Sequence, residues 1–217
     1  ENSRMTTQTY PFELPPLTFA PDALEPHLDA RTMSIHHDEH HRVYVERLNA
    51  ALKDHPGLHG RTIENLPRNL NRIPPDIRPA VRNNGGGHLN HSLFWSLIAA
   101  PSQRAPTGPL LDALTDSFGS LESFRVKFRE TAVGHFASGW VFLVADARKH
   151  ALEVLALPDH HCVLATHQTV LLVCDVWEHA YYLKHQQKRA DYVDCWWQVA
   201  NWQEAAHRFG RPVEAAA

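Results

Sequence analysis

Apolar and polar positions alternate with different periods along the chain. From Pro21 to about Leu52 there is no glycine and, after Pro26, no proline, while Met33, Val43, Leu48 and Leu52 recur near helical spacing. This pattern predicts one long helix. Residues 55–84 are rich in Pro, Asn, Arg and Gly and are expected to form loops around a short helix at 63–69. The run Asn83-Asn84-Gly85-Gly86-Gly87 then punctuates the chain before a second apolar helical stretch, His88 to Ala99. Two helices and a connector predict a helical hairpin.

Pro101 to Gly108 carries Pro, Ser and Thr and marks the expected boundary between an all-helical domain, 10–100, and a mixed domain, 101–217. Helices are predicted over Pro109–Phe118 and Leu121–Gly134, the second capped by Ser120. Trp140–Ala145 and Ala151–Leu157 are short apolar runs flanking the turn-like sequence DARKH, and predict an antiparallel β-hairpin. Thr169–Cys174 is a third strand candidate, and Glu178–Phe209 is helical in pattern with a break near Ala190-Asp191. The fold class expected from this order is α+β.

Composition narrows the partners. In 217 residues, 43% apolar and 21% charged is an ordinary globular balance. The net charge of −3 and pI near 6.7 provide no basic footprint for nucleic acid or an anionic membrane. No apolar run of about 18 residues occurs, and ENSRMTTQTYPFELPP lacks a basic stretch followed by an apolar one, so neither membrane spanning nor export is expected. Three cysteines, Cys162, Cys174 and Cys195, form no CxxC pair and suit a reducing compartment, so the expected location is cytoplasmic. Met5 reads as a natural start, and Glu1–Arg4 are set aside from the fold reading.

The unusual number is 17 histidines. Histidine is the commonest neutral metal ligand, so the enrichment raises a metal hypothesis that spacing must test. MSIHHDEHHRVY places His36, His40 and Tyr44 at i, i+4 and i+8 on one helical face, with His37 and His41 on an adjacent stripe. The competing reading is an exposed, His-rich helix face. In HLNHSLFW, His91 is followed by Leu93, Phe94 and Trp95, a buried setting that a carbonyl-bonded core histidine would also satisfy. In DVWEHAYY, a strand-like run leads into Asp175, with His179 four residues on. Asp175 and Glu178 could form a capping box, but that leaves His179 without a role. Imidazoles with one carboxylate suit manganese, iron, cobalt or zinc better than magnesium or calcium. A zinc hydrolase would need a general base and has no HExxH here. A His-rich storage protein would bind several ions through surplus residues such as His37, His41 and His161.

RTMSIHHDEHHRVYV, RNNGGGHLNHSLFW, FASGWVFLV, DVWEHAYYLKHQQKRADY and NWQEAAHRF together resemble the iron/manganese superoxide dismutases over roughly Tyr10 to Phe209. The resemblance implies an N-terminal antiparallel helical hairpin and a C-terminal α/β domain with a three-stranded antiparallel sheet. It implies an antioxidant oxidoreductase that converts superoxide to dioxygen and hydrogen peroxide at one manganese or iron ion per chain. The metal ligands it implies are His36, His91, Asp175 and His179. Tyr44 and His40 match a gateway pair at the substrate funnel, Arg189 a basic residue near it, and Trp95, Trp140 and Trp177 an aromatic shell. Glu178, Tyr182, His40 and Phe136 match residues at a twofold homodimer interface.

The departures bear on the metal. Gly87 stands where iron enzymes often carry a glutamine, and matching Asp159-His160 in LPDHHCV to the family's Asn-Gln puts His160 where manganese enzymes supply one; His161 is the one-residue alternative. A histidine there is compatible with manganese, iron or either, that is, with a cambialistic enzyme. GGGH and SLFW lean towards manganese, and Val173, in place of a common glycine, weakens that lean. Ala190 replaces a frequent proline and is expected to affect only a turn.

Overall fold

The computed structural model describes residues 8–101 and 105–210; Met5, Glu1–Arg4 and part of the expected domain boundary lie outside the described residues. The first helix starts later than the periodicity predicts. Pro26 disfavours helical geometry in the residue before it, and the chain turns until Asp29, whose carboxylate accepts the Thr32 N–H at 2.8 Å and opens α1 (Ala30–Ile35). The helix then passes through one π-helical turn, His36–His41, into α2 (Arg42–Leu52), with Met33, Leu48 and Leu52 fully buried. Val43, expected among the core positions, is half-buried, and Val45 takes the inner place. The π turn is the physical reason: its wider turn shifts the phase of every following side chain.

Two short helices, α3 (Asn65–Arg68) and α4 (Arg78–Ala80), lead to a second π turn, Val81–Gly85, and α5 (Gly86–Ser96), every residue of which is buried. The glycine run expected to break the chain is therefore helical. Its glycines serve close packing instead: a β-carbon on Gly86 would fall 2.0 Å from the His160 carbonyl oxygen. Such a position admits only glycine.

The second half opens with α6 (Pro109–Phe118) and α7 (Leu121–Gly134), the latter capped as expected by Ser120 Oγ, which accepts the Ser123 N–H at 3.0 Å. Strands β1 (Gly139–Asp146), β2 (Ala151–Pro158) and β3 (Gln168–Asp175) form an antiparallel sheet in the order β2-β1-β3. The central strand β1 is buried almost throughout, and its register pairs Trp140 with Asp175. A single turn, Glu178–Ala180, is followed by α8 (Tyr182–His185), α9 (Arg189–Trp196) and α10 (Trp202–Phe209). The helical pattern breaks at Gln186, which has φ of 49° and ends α8, and again between α9 and α10; Ala190 and Asp191, where the break was expected, lie inside α9.

The two halves are stitched by hydrogen bonds to backbone carbonyls. Ala99 N–H donates to the Val199 carbonyl at 2.8 Å, Asn201 N–H to that of Leu97 at 2.9 Å, and Asn201 Nδ2 to that of Ser96 at 3.2 Å. α5 packs against β3, so the inward face of the helical half meets the end of the sheet.

Candidate metal centre

Each of four side chains arrives from a different local structure. His36 opens the first π turn, His91 sits in the middle of α5, Asp175 ends β3, and His179 lies in the turn after it. One potential ligand atom from each lies within 4.8 Å of the others. Asp175 Oδ2 is 3.1 Å from His36 Nε2, 3.1 Å from His179 Nε2 and 3.8 Å from His91 Nε2. His36, His91 and Asp175 are wholly inaccessible, whereas the His179 side chain keeps 11% of its surface, so access to the cluster runs past His179. Asp175 Oδ1 accepts the Trp177 N–H at 2.9 Å. This is an Asx turn, not the capping box, and the Glu178–Ala180 turn has no side-chain cap.

The protons decide what the cluster fits. His91 Nδ1 lies 2.7 Å from the Gly87 carbonyl, an obligate acceptor, so Nδ1 carries the hydrogen and a neutral His91 presents a lone pair at Nε2. That atom is buried and has no hydrogen-bond partner among the described residues. Burial holds His91 well below the usual imidazole range, reinforced by His36, His41, His179 and His160. Burial likewise lowers His36 to about 4. For Asp175 burial acts the other way, but the charge and hydrogen bond of His179 and the hydrogen bond and charge of His36 outweigh it and hold the carboxylate well below its ordinary value. A buried lone pair therefore faces a buried carboxylate oxygen with no proton between them. This arrangement is repulsive unless a cation lies between. The nitrogen and oxygen donors fit a first-row transition metal.

Around the cluster, His160 is buried and stacks on Trp177 at 4.5 Å between ring centroids, 13° from parallel. Trp140 Nε1–H donates to His160 Nδ1 at 3.2 Å, which leaves the His160 hydrogen on Nε2, a buried atom with no partner among the described residues. His161 is exposed. Tyr44 meets His160 edge-on at 4.4 Å, and burial, with the Asp175 charge, raises its phenol to about 12. Its ring fills the space over Gly87, where a β-carbon would come within 2.7 Å. His40 is half-buried and stacks on His179 at 4.4 Å. Trp95 and Trp140 meet His36 and His91 edge-on, at 4.8 and 4.9 Å.

Several expected residues stand elsewhere or do something else. Arg189 donates to the carbonyls of His135 and Ala137 and, at 3.1 Å, to the Tyr181 hydroxyl, so its guanidinium anchors the loop that bears Phe136. Phe136 is fully exposed, and Tyr182 and Glu178 are exposed as well. His37 and His41, set apart by periodicity as surplus, are buried. His37 bonds the Pro15 carbonyl and Asp38, both at 2.8 Å, and His41 bonds His88 at 2.8 Å. A 3.6-residue period cannot find them, because the π turn rotates His41 inward; the doubled HH pairs are the only signal in the sequence.

Residues 11–99 match the family described as iron/manganese superoxide dismutases, alpha-hairpin domain, and residues 106–208 match its C-terminal domain. A protein named superoxide dismutase [Mn] from Thermus thermophilus is 48% identical over 200 residues, covering 92% of this chain and 98% of that protein. One of the same name from Listeria innocua is 46% identical over 198 residues, covering 91% and 97%. A third, superoxide dismutase [Mn] 3 of Leptolyngbya boryana, is 45% identical over 199 residues, covering 92% and 83%. With both halves matched and the His/Asp cluster at their junction, the chain belongs to the iron/manganese superoxide dismutase family.

Proposed function

We propose that this superoxide dismutase binds one manganese or iron ion per chain through His36, His91, Asp175 and His179, with manganese favoured by the three relatives named for it. The observation that carries the reading is the His91 Nε2 lone pair, buried, without a hydrogen-bond partner among the described residues, and 3.8 Å from Asp175 Oδ2. Bound there, the ion supplies one-electron chemistry between its 2+ and 3+ states, so that one superoxide leaves as dioxygen and another, with two protons, as hydrogen peroxide.

The chain's own residues orient, exclude and protonate. Trp95, Trp140 and Trp177 close the cluster off from bulk water. His160, its hydrogen set on Nε2 by Trp140, presents a donor to whatever lies above the cluster. Tyr44 keeps its phenol proton, since burial raises it to about 12, and serves as donor to a reduced anion. His40 stands where the cluster meets solvent. His160 is the residue through which manganese and iron would be distinguished, because a donor to bound solvent alters the metal's potential.

Two further assignments follow the family. The chain works as an antioxidant in the cytoplasm, and it forms a homodimer through Phe136, Glu178, Tyr182 and His40, supported by the full exposure of a large aromatic side chain at Phe136. The hairpin and α/β domains are taken as 10–100 and 101–217. A storage role has less support, because His37 and His41 are buried and already bonded. Separate reconstitution of metal-free protein with manganese and with iron, followed by metal analysis and superoxide consumption, tests the reading. One ion per chain with activity is expected; several ions per chain without activity would sink it.

A further inference from the structure

A buried hydrogen-bond chain joins the two helices that bear His36 and His91, and no step of the reaction uses it. Trp95 Nε1 lies 3.0 Å from His41 Nδ1, and His41 Nε2 lies 2.8 Å from His88 Nδ1. His41 and His88 are 0% and 1% exposed, so water does not offer these atoms an alternative. Chemistry sets the direction. An indole N–H only donates, so His41 Nδ1 accepts, His41 Nε2 carries the hydrogen, and His88 Nδ1 accepts it. The Ser92 hydroxyl stands 3.3 Å from the same His88 atom.

The geometry ties this chain to the cluster. The His41 ring lies nearly parallel to that of His91, with centroids 5.3 Å apart and planes 20° apart. His41 follows His36 by five residues, which in a continuous α-helix would point them about 140° apart. The π turn over His36–His41 brings both toward α5. One irregular turn therefore carries a candidate ligand and the anchor of the cross-helix bond.

We propose that Trp95, His41 and His88 form a positioning strut that sets the spacing between the His36 turn and α5 and the plane of the His91 ring, and so the affinity of the site for its metal. This rests on the reading of His36 and His91 as ligands. The test compares His88→Leu, which removes the acceptor, with His88→Asn, whose Oδ1 can stand in for Nδ1. Manganese affinity is measured by chelator competition, and thermal midpoints are recorded with and without metal. In His88→Leu the affinity is expected to fall ~10-fold or more and the rise in midpoint on metal loading to shrink, with His88→Asn recovering most of both. A merely structural role predicts equal drops of both midpoints and affinity within about twofold of the parent, and that result overturns the strut. Should His88→Leu fail to fold, Trp95→Phe breaks the chain at its other end and is held to the same affinity criterion. His91→Ala is the control for the ligand reading: if it retains metal, that reading fails and the strut falls with it, whereas its loss of metal alongside an unaffected His88→Leu condemns the strut alone.

Discussion

A β-carbon added to Gly87 would lie 2.7 Å from Cγ of Tyr44, whereas one added to Gly85, two residues earlier, would meet nothing nearer than 3.7 Å. The two glycines thus make a matched pair. Replacing glycine by alanine in a helix gains roughly 0.5–1 kcal/mol of backbone preference, and overpacking costs about 1–3 kcal/mol. Gly85→Ala is expected to raise the thermal midpoint by a few degrees, and Gly87→Ala to lower it while displacing Tyr44 and reducing turnover. Calorimetry and steady-state rates on both variants check this; equal effects would show that Tyr44 does not depend on the missing side chain.

Trp140 supplies the second prediction. Its indole donates to His160 Nδ1 and so leaves the imidazole hydrogen on the buried Nε2. Trp140→Phe keeps the aromatic packing but frees the imidazole to adopt its other tautomer. His160→Gln retains both an acceptor and a donor, and His160→Leu retains neither. Turnover is expected to fall in the order parent, His160→Gln, Trp140→Phe, His160→Leu, with the ratio of manganese to iron activity shifting in His160→Gln. An unchanged ratio and rate in His160→Leu would remove His160 from the mechanism and reopen the case for exposed His161.

Much of this site was legible in the sequence because its pieces are local. A strand ending in Asp175 with His179 four residues on, and His91 beside Phe94 and Trp95, stood out as candidates by short-range spacing, while their union into one ligand set came from the resemblance to the family. What was not legible depends on where the chain departs from regular geometry. The π turn at His36–His41 moved His41 from an outer stripe to the interior. The Gly85-Gly86-Gly87 run was expected to punctuate the chain ahead of the second helix, and is instead helical, with the Tyr44 ring and the His160 carbonyl taking up the space that side chains would need. Both effects are tertiary contacts overriding a local preference.

His179, in the turn after β3, and His37, in the first π turn, are separable by substitution. His179→Ala removes a candidate ligand and the ring on which His40 stacks, and is expected to abolish both metal retention and activity. His37 instead fastens the Pro15 carbonyl to the helix, so His37→Ala should lower stability by about 1–3 kcal/mol, the usual cost of leaving a buried acceptor unpaired, with metal content nearly intact. Metal analysis of the two purified variants decides, and equal losses would mean that the ligand face of the turn is misassigned.

Away from the site, Asp146 closes the β1–β2 turn and reaches β3. Its Oδ1 accepts the N–H groups of Arg148 at 2.9 Å and Lys149 at 3.1 Å, and its Oδ2 accepts from Gln168 at 3.1 Å. Burial opposes ionisation, but the Gln168, Lys149 and Arg148 donors, with His167, bring Asp146 below the ordinary carboxylate value of 3.8. A group depressed on folding contributes stability above its unfolded value and loses it as pH falls through the folded one. The metal-free protein should therefore lose midpoint steeply below about pH 4, and Asp146→Asn should flatten that fall. Parallel curves for the two proteins would assign the acid sensitivity to other carboxylates.

Phe136 poses the last question, since its side chain is wholly exposed although its loop is held firmly by Arg189. An aromatic ring presented to water on an anchored loop gains nothing from the fold of its own chain. Burial against a second copy would recover that area, and a preorganised loop would spare the ordering cost of binding. Aromatic residues at the centre of interfaces commonly account for about 2 kcal/mol or more, roughly 30-fold in the dissociation constant. Phe136→Asp is expected to weaken a homodimer at least that much in sedimentation equilibrium while leaving the monomer folded by circular dichroism. If parent and variant sediment identically as monomers, the family's twofold assembly does not extend to this chain, and Glu178, Tyr182 and His40 must act within one subunit.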